Sequence, residues 1–110
     1  MPLFVYSKKE KMIFGNHIRK LREKQGLLLR QLAAALAVDT ATISKIERGS
    51  RQAKKAHLPI LAKFLKTDLK ELKTLWLADK LYEIVEDEEY GLSALKVAEA
   101  EVEYKIKKVK

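Results

Sequence analysis

Between Asp39 and Gly49 the chain sets three hydroxyls, those of Thr40, Thr42 and Ser44, beside two cations, Lys45 and Arg48. This group donates hydrogen bonds and carries positive charge, and it holds no nucleophile paired with a base. Its chemistry is recognition of an anionic, acceptor-rich partner. Asp39 can accept hydrogen bonds from the first free N–H groups of a helix, and Gly49 can close the other end in a left-handed conformation. Only Ile43 and Ile46 are large and apolar, three residues apart on one face. Thr40, Ala41, Thr42, Ser44, Lys45 and Arg48 therefore point elsewhere. The spacing predicts a short helix mounted on two anchors, with its polar side presented outward.

Other chemistries find no residues to carry them. The chain has no cysteine, which excludes disulfides and a zinc ribbon, and two histidines make a poor metal site. His17 falls on a helix and His57 in a connector, each as a surface or packing residue. No Gly-rich phosphate loop and no Ser/His/Asp set occurs in a recognisable context. The acidic run Glu86 to Glu89 lacks the alternating Asp/Asn and Gly spacing of a calcium loop. The expectation is a protein without catalytic residues, cofactor or metal.

Charge names the class of partner. The formal net charge is +8 and the isoelectric point is near 9.7. Through Lys66 there are fifteen basic residues against four acidic ones, and from Thr67 onward eight against eleven. The front half is thus built for a polyanion, on segments periodic enough to fold. At 110 residues the chain suits one domain with an appendage. No apolar run reaches the roughly 18 residues of a membrane span, and the N-terminus lacks the pattern of a secretion signal. A cytoplasmic, nucleoid-associated location is expected.

The elements that must position these residues follow in order. Residues 1–11 read as a leader, loose or following an upstream start codon, with an arm that reaches DNA or a partner chain as the alternative. Phe14, Ile18 and Leu21 predict a first helix ending at Gly26, with Arg19, Lys20 and Lys24 on its outer face. Leu29, Leu32, Ala33 and Leu36 predict a shorter second helix, with Ala33 small where two helices cross and Val38 sealing the turn before Asp39. Helix, tight turn, helix is the simplest object that fits. A basic connector (SRQAKKA, 50–56) precedes a fourth stripe of Leu58, Leu61, Ala62 and Leu65, with Pro59 tolerated in its first turn. Thr67 or Asp68 caps a fifth helix, Glu71 standing at capping-box distance from Asp68, and Leu69, Leu72 and Trp76 face the core. From Leu72 to Val85 apolar residues then occur almost all round, which requires a second buried face. After an acidic break at 86–91, Leu92, Leu95 and Val102 mark a last helix whose terminal lysines suit its dipole.

Taken together, Ile18-Arg19-Lys20-Leu21-Arg22, Gly26-Leu27, Gln31-Leu32-Ala33 and Ile43-Ser44-Lys45-Ile46-Glu47-Arg48-Gly49 resemble the Xre, or phage Cro and repressor-like, helix-turn-helix regulators. The resemblance covers about Ile13 to Trp76. It implies an all-α fold of five helices, residues 12–76, with the third helix in the major groove of double-stranded DNA. It puts Thr40, Ala41, Thr42 and Lys45 at base edges, Lys45 suiting guanine O6 and N7. Ser44, Arg48, Arg51, Lys54 and Lys55 fall toward phosphates. Arg22 and Glu47 form, in such relatives, a buried ion pair with a structural role. One departure stands out: the usual Ser/Thr cap and Gln that open the second helix are Leu28 and Leu29 here, so either Arg30 supplies the phosphate contact or the leucines pack against another part of the chain, and DNA shape carries more of the specificity.

Residues 77–110 lie beyond that pattern. Leu77, Leu81, Ile84, Val85, Leu92, Leu95 and Val102 are expected to form a twofold dimer on a pseudo-palindromic site with half-sites roughly 34 Å apart. Small controllers of restriction–modification operons are similar in layout. The competing expectation is an antitoxin-like module whose last helices hold a partner protein.

Overall fold

Every predicted apolar stripe becomes a helix. The computed structural model describes residues 13–109, and among them all regular structure is helical: α1 (Ile13–Lys24), α2 (Leu29–Leu36), α3 (Thr40–Arg48), α4 (Leu58–Phe64), α5 (Leu69–Val85) and α6 (Gly91–Val109). A 3-10 turn, Lys55–His57, leads into α4. The expected leader lies outside the described residues. The chain divides into two units between Asp79 and Lys80.

In the first unit the stripes converge on one core. Phe14 and Ile18 of α1, Leu32, Ala33 and Leu36 of α2, Ile43 and Ile46 of α3, Leu58, Leu61, Ala62 and Leu65 around α4, and Leu72 and Trp76 of α5 are all buried. Each large side chain among them contributes about 1.5–3 kcal/mol by leaving water. Ala53 joins them at 3% exposure, and its carbonyl accepts the Trp76 indole N–H at 2.8 Å. The basic connector is therefore tied into the core.

The close approach that fixes α3 is made by Gly15. A Cβ there would collide with the Ile46 carbonyl oxygen and lie 2.8 Å from that of Glu47. Only a hydrogen side chain lets α1 lie on the end of α3. A second tie is made at the far end of α1, where Gln25 Nε2 donates to the Leu65 carbonyl at 2.5 Å.

Helix ends explain the boundaries. Leu28 offers α2 no side-chain cap, and Gln31 Oε1 reaches back to accept the Leu28 N–H at 2.7 Å. That is the half of a capping box that does not need a polar N-cap. At α5 the expected capping box is corrected: Asp68 Oδ1 accepts the Lys70 N–H, while Glu71 Oε1 takes the Thr67 hydroxyl instead of closing on the cap backbone. α2 and α3 end alike. Ala37 and Gly49 are both left-handed, at φ 57° and 82°, and their N–H groups return to carbonyls of the last turn.

The second unit runs from Lys80 through the end of α5 and an acidic turn into α6. Gly91 makes that turn tight, since a Cβ would lie 2.6 Å from the Val85 carbonyl oxygen. Apart from Gly91, no side chain described in α6 is buried. Among the described residues no helix is long and apolar enough to cross a membrane.

Candidate DNA interface

α3 is stopped and started by its own sequence. Asp39 Oδ1 accepts the Thr42 N–H at 2.8 Å, and Gly49 and Ser50 donate back to the carbonyls of Ile46 and Lys45 at 3.1 and 3.0 Å. Thr42, through its hydroxyl and its N–H, and then Arg51 and Lys45 through their charge, hold the Asp39 carboxyl below its usual range. Ile43, Ile46 and Glu47 are the residues α3 buries. Thr40, Ala41, Lys45 and Arg48 are exposed, and Thr42 and Ser44 are half-buried.

Arg48 is not a loose cation. Its Nη1 donates to Ser44 Oγ at 2.6 Å, one turn back along α3. This holds the guanidinium along the helix with its remaining donors free for an anion. Arg51 and Lys54 are exposed in the connector and Lys55 opens the 3-10 turn, also exposed. Arg30 is exposed at the second position of α2. The exposed cations on and after α3 give that side of the unit a field suited to phosphate.

Arg22 and Glu47 join α1 to α3 beneath this surface. Arg22 Nε and Nη2 donate to Glu47 Oε2 and Oε1 at 2.7 and 3.1 Å, and Arg22 Nη1 donates to the Leu27 carbonyl at 2.9 Å. The side chains are 12% and 5% exposed, and the Glu47 hydrogen bonds raise the Arg22 pKa further above its ordinary value. The pair is bidentate and its Arg is also bonded to backbone, so the charges are compensated where little water reaches them.

The residues proposed for self-association are placed differently. Leu77, in the first unit, is 53% exposed. In the second unit Leu81, Ile84, Leu92 and Val102 are exposed, and Val85 and Leu95 are half-buried. Tyr82, part of the apolar excess read from the sequence, is exposed there as well, as are Val97, Tyr104 and Ile106, which the sequence reading does not single out. Ile106 stands four residues after Val102, on the same face of α6, a signal that was available.

His17 and His57 form no catalytic pair. His17 Nε2 lies 3.7 Å from Glu71 Oε1 between α1 and α5, and His57 closes the 3-10 turn. Among the described residues no group of three or more His, Asp or Glu could hold a metal ion.

Comparison with known proteins places this geometry. Residues 18–72, half of the chain, match the helix-turn-helix family. A solved structure, the clp gene regulator ClgR from C. glutamicum, is similar with a TM-score of 0.53 at 23% identity, over 71% of this chain and 94% of that one. At that identity the likeness is one of fold. No curated protein sequence matches the chain.

Proposed function

Since the chain belongs to the helix-turn-helix family, whose members are DNA-binding regulators of transcription and not enzymes, we propose that it works as a homodimer on a pseudo-palindromic operator. α3 enters the major groove of each half-site. Thr40, Ala41, Thr42 and Lys45 meet base edges, and Arg30, Ser44, Arg48, Arg51, Lys54 and Lys55 meet phosphates. Arg22 and Glu47 hold the reading helix against α1. The observation that carries this reading is α3 itself: capped at both ends, anchored by Ile43 and Ile46, and otherwise turned outward with its cations exposed.

Residues 12–76 do the reading in this proposal and residues 77–110 pair the copies. Leu77, Leu81, Ile84, Val85, Leu92, Leu95 and Val102 supply the interface, supported by the exposure of most of these side chains in a chain that carries 35% charged residues. A compact reader followed by helices with exposed apolar side chains, α6 running for 19 residues, also supports the narrower assignment to the restriction–modification controller type, acting in the cytoplasm on the nucleoid. The same apolar exposure supports a second reading, in which the last helices hold a foreign partner, as an antitoxin does.

Selection from a random duplex library tests the proposal. The expected product is a motif of two inverted half-sites about one helical turn apart. Recovery of unrelated sequences, bound equally, overturns it.

A further inference from the structure

α6 is 19 residues long and, Gly91 aside, buries none of its described side chains. Helices in folded proteins are held mainly by packing of an amphipathic face, and at about 28 Å this one has the face without the packing. Leu92, Leu95, Glu99, Val102 and Ile106 follow one another at intervals of three, four, three and four residues, the a and d spacing of a two-helix seam. Leu92, Val102 and Ile106 are exposed, and Leu95 is half-buried. Glu99 interrupts the seam at an a position. Lys96 and Glu103 line one flank of it, each directly after a d residue, and Lys105 lies on the other flank.

The charged residues decide what fits this face. In a parallel pair held in register, Glu99 meets the partner's Glu99 inside the seam, where two carboxylates repel. Lys96 then faces the partner's Gly91 and Glu103 the partner's Ala98, so neither charge is met. We propose that α6 instead takes a second copy of itself antiparallel, with Leu95 on the partner's Ile106 and Glu99 on the partner's Val102. In that register Lys96 comes opposite the partner's Glu103, and the twofold axis repeats the pair on the other side. Glu99 no longer meets its own copy, and the partner's Lys105 stands beside it. One polar residue at an a position thereby selects direction and register at some cost in stability. The proposal rests on the homodimer reading above and adds which helix pairs, in which direction and on which layers.

The chain has no cysteine, so introduced thiols report the pairing directly. An equimolar mixture of Leu95→Cys and Ile106→Cys chains, oxidised after subunit exchange, is expected to give mainly the mixed disulfide. Each variant alone should give little, because like positions lie too far apart to bridge in the antiparallel pair. In a light-scattering dilution series, Lys96→Glu and Glu103→Lys should each weaken self-association about tenfold, since each turns two attractive pairs repulsive. The double variant restores both pairs and should return to within about twofold of wild type. A disulfide formed by Leu95→Cys alone would show a parallel pair and overturn the inference, as would a double variant no stronger than the singles. Dimeric mass without the mixed disulfide would remove α6 from the interface and leave the homodimer reading standing. Monomeric mass in wild type would remove both.

Discussion

Asp79 and Phe14 are 65 residues apart in the chain, yet Asp79 Oδ2 accepts the Phe14 backbone N–H at 2.8 Å. Oδ1 accepts the Ile13 N–H at the same distance. Asp79 thereby caps α1 from α5, a role usually given to the residue that precedes the helix. With Asp79 7% exposed, little water can replace it. Asp79→Ala should cost about 1–3 kcal/mol in urea unfolding, because it strands the buried Phe14 N–H along with the part-buried one of Ile13. An unchanged unfolding midpoint would mean that the N-terminal turn of α1 contributes nothing to stability.

Arg22 and Glu47 call for a different experiment. Truncating either partner leaves a buried charge and should cost about 3–5 kcal/mol, while an apolar replacement of both costs far less. Arg22→Met with Glu47→Leu should therefore be more stable than either single variant. A double variant as unstable as the sum of the two singles would show that the residues act independently.

Ala37 offers a gain. It is left-handed at φ 57° where α3, ending the same way, uses Gly49. A non-glycine residue is strained there, so Ala37→Gly should raise stability by about 0.5–1 kcal/mol, after the entropy that glycine adds to the unfolded chain. Thermal unfolding reads this directly, and a lower midpoint would contradict it.

The proposed contacts separate by their response to sequence and salt. Lys45→Ala should flatten preference at one base pair by about 1–3 kcal/mol if Lys45 reads guanine. Arg48→Ala and Lys54→Ala should weaken binding to all sequences and reduce the salt slope by about one unit each. Ser44→Ala should carry part of the Arg48 effect, since Ser44 Oγ holds that guanidinium. A slope unchanged in Arg48→Ala would remove the residue from the interface.

What the sequence disclosed follows from how local each feature is. The stripes of α1 to α5, the Asp39 cap and the Gly49 stop depend on residues within a turn or two, and periodicity and capping chemistry reach that far. Ile43 and Ile46 anchor α3 as their spacing predicts. Gly15, Ala53 and Asp79 were not legible, because each matters through a partner far along the chain: the Ile46 carbonyl, the Trp76 indole, and the start of α1. Nothing local distinguishes Asp79 from any polar residue of an exposed helix face. The Asp68 and Glu71 pair misled for the converse reason, as its spacing suits a capping box but the nearby Thr67 hydroxyl takes the Glu71 carboxylate. The apolar excess after Leu72 was legible as excess, and the exposure of Leu77, Leu81, Tyr82 and Ile84 in α5 agrees with it, yet periodicity alone does not say what covers such a face.

The central claim is that two copies of this chain read one operator, and its most direct test is the solution mass by light scattering, free and on a selected duplex. The account predicts twice the 12.6 kDa chain mass for the free protein, and that mass plus one duplex for the complex. A stable monomer that binds a single half-site would contradict it, and would leave the last two helices to a different partner.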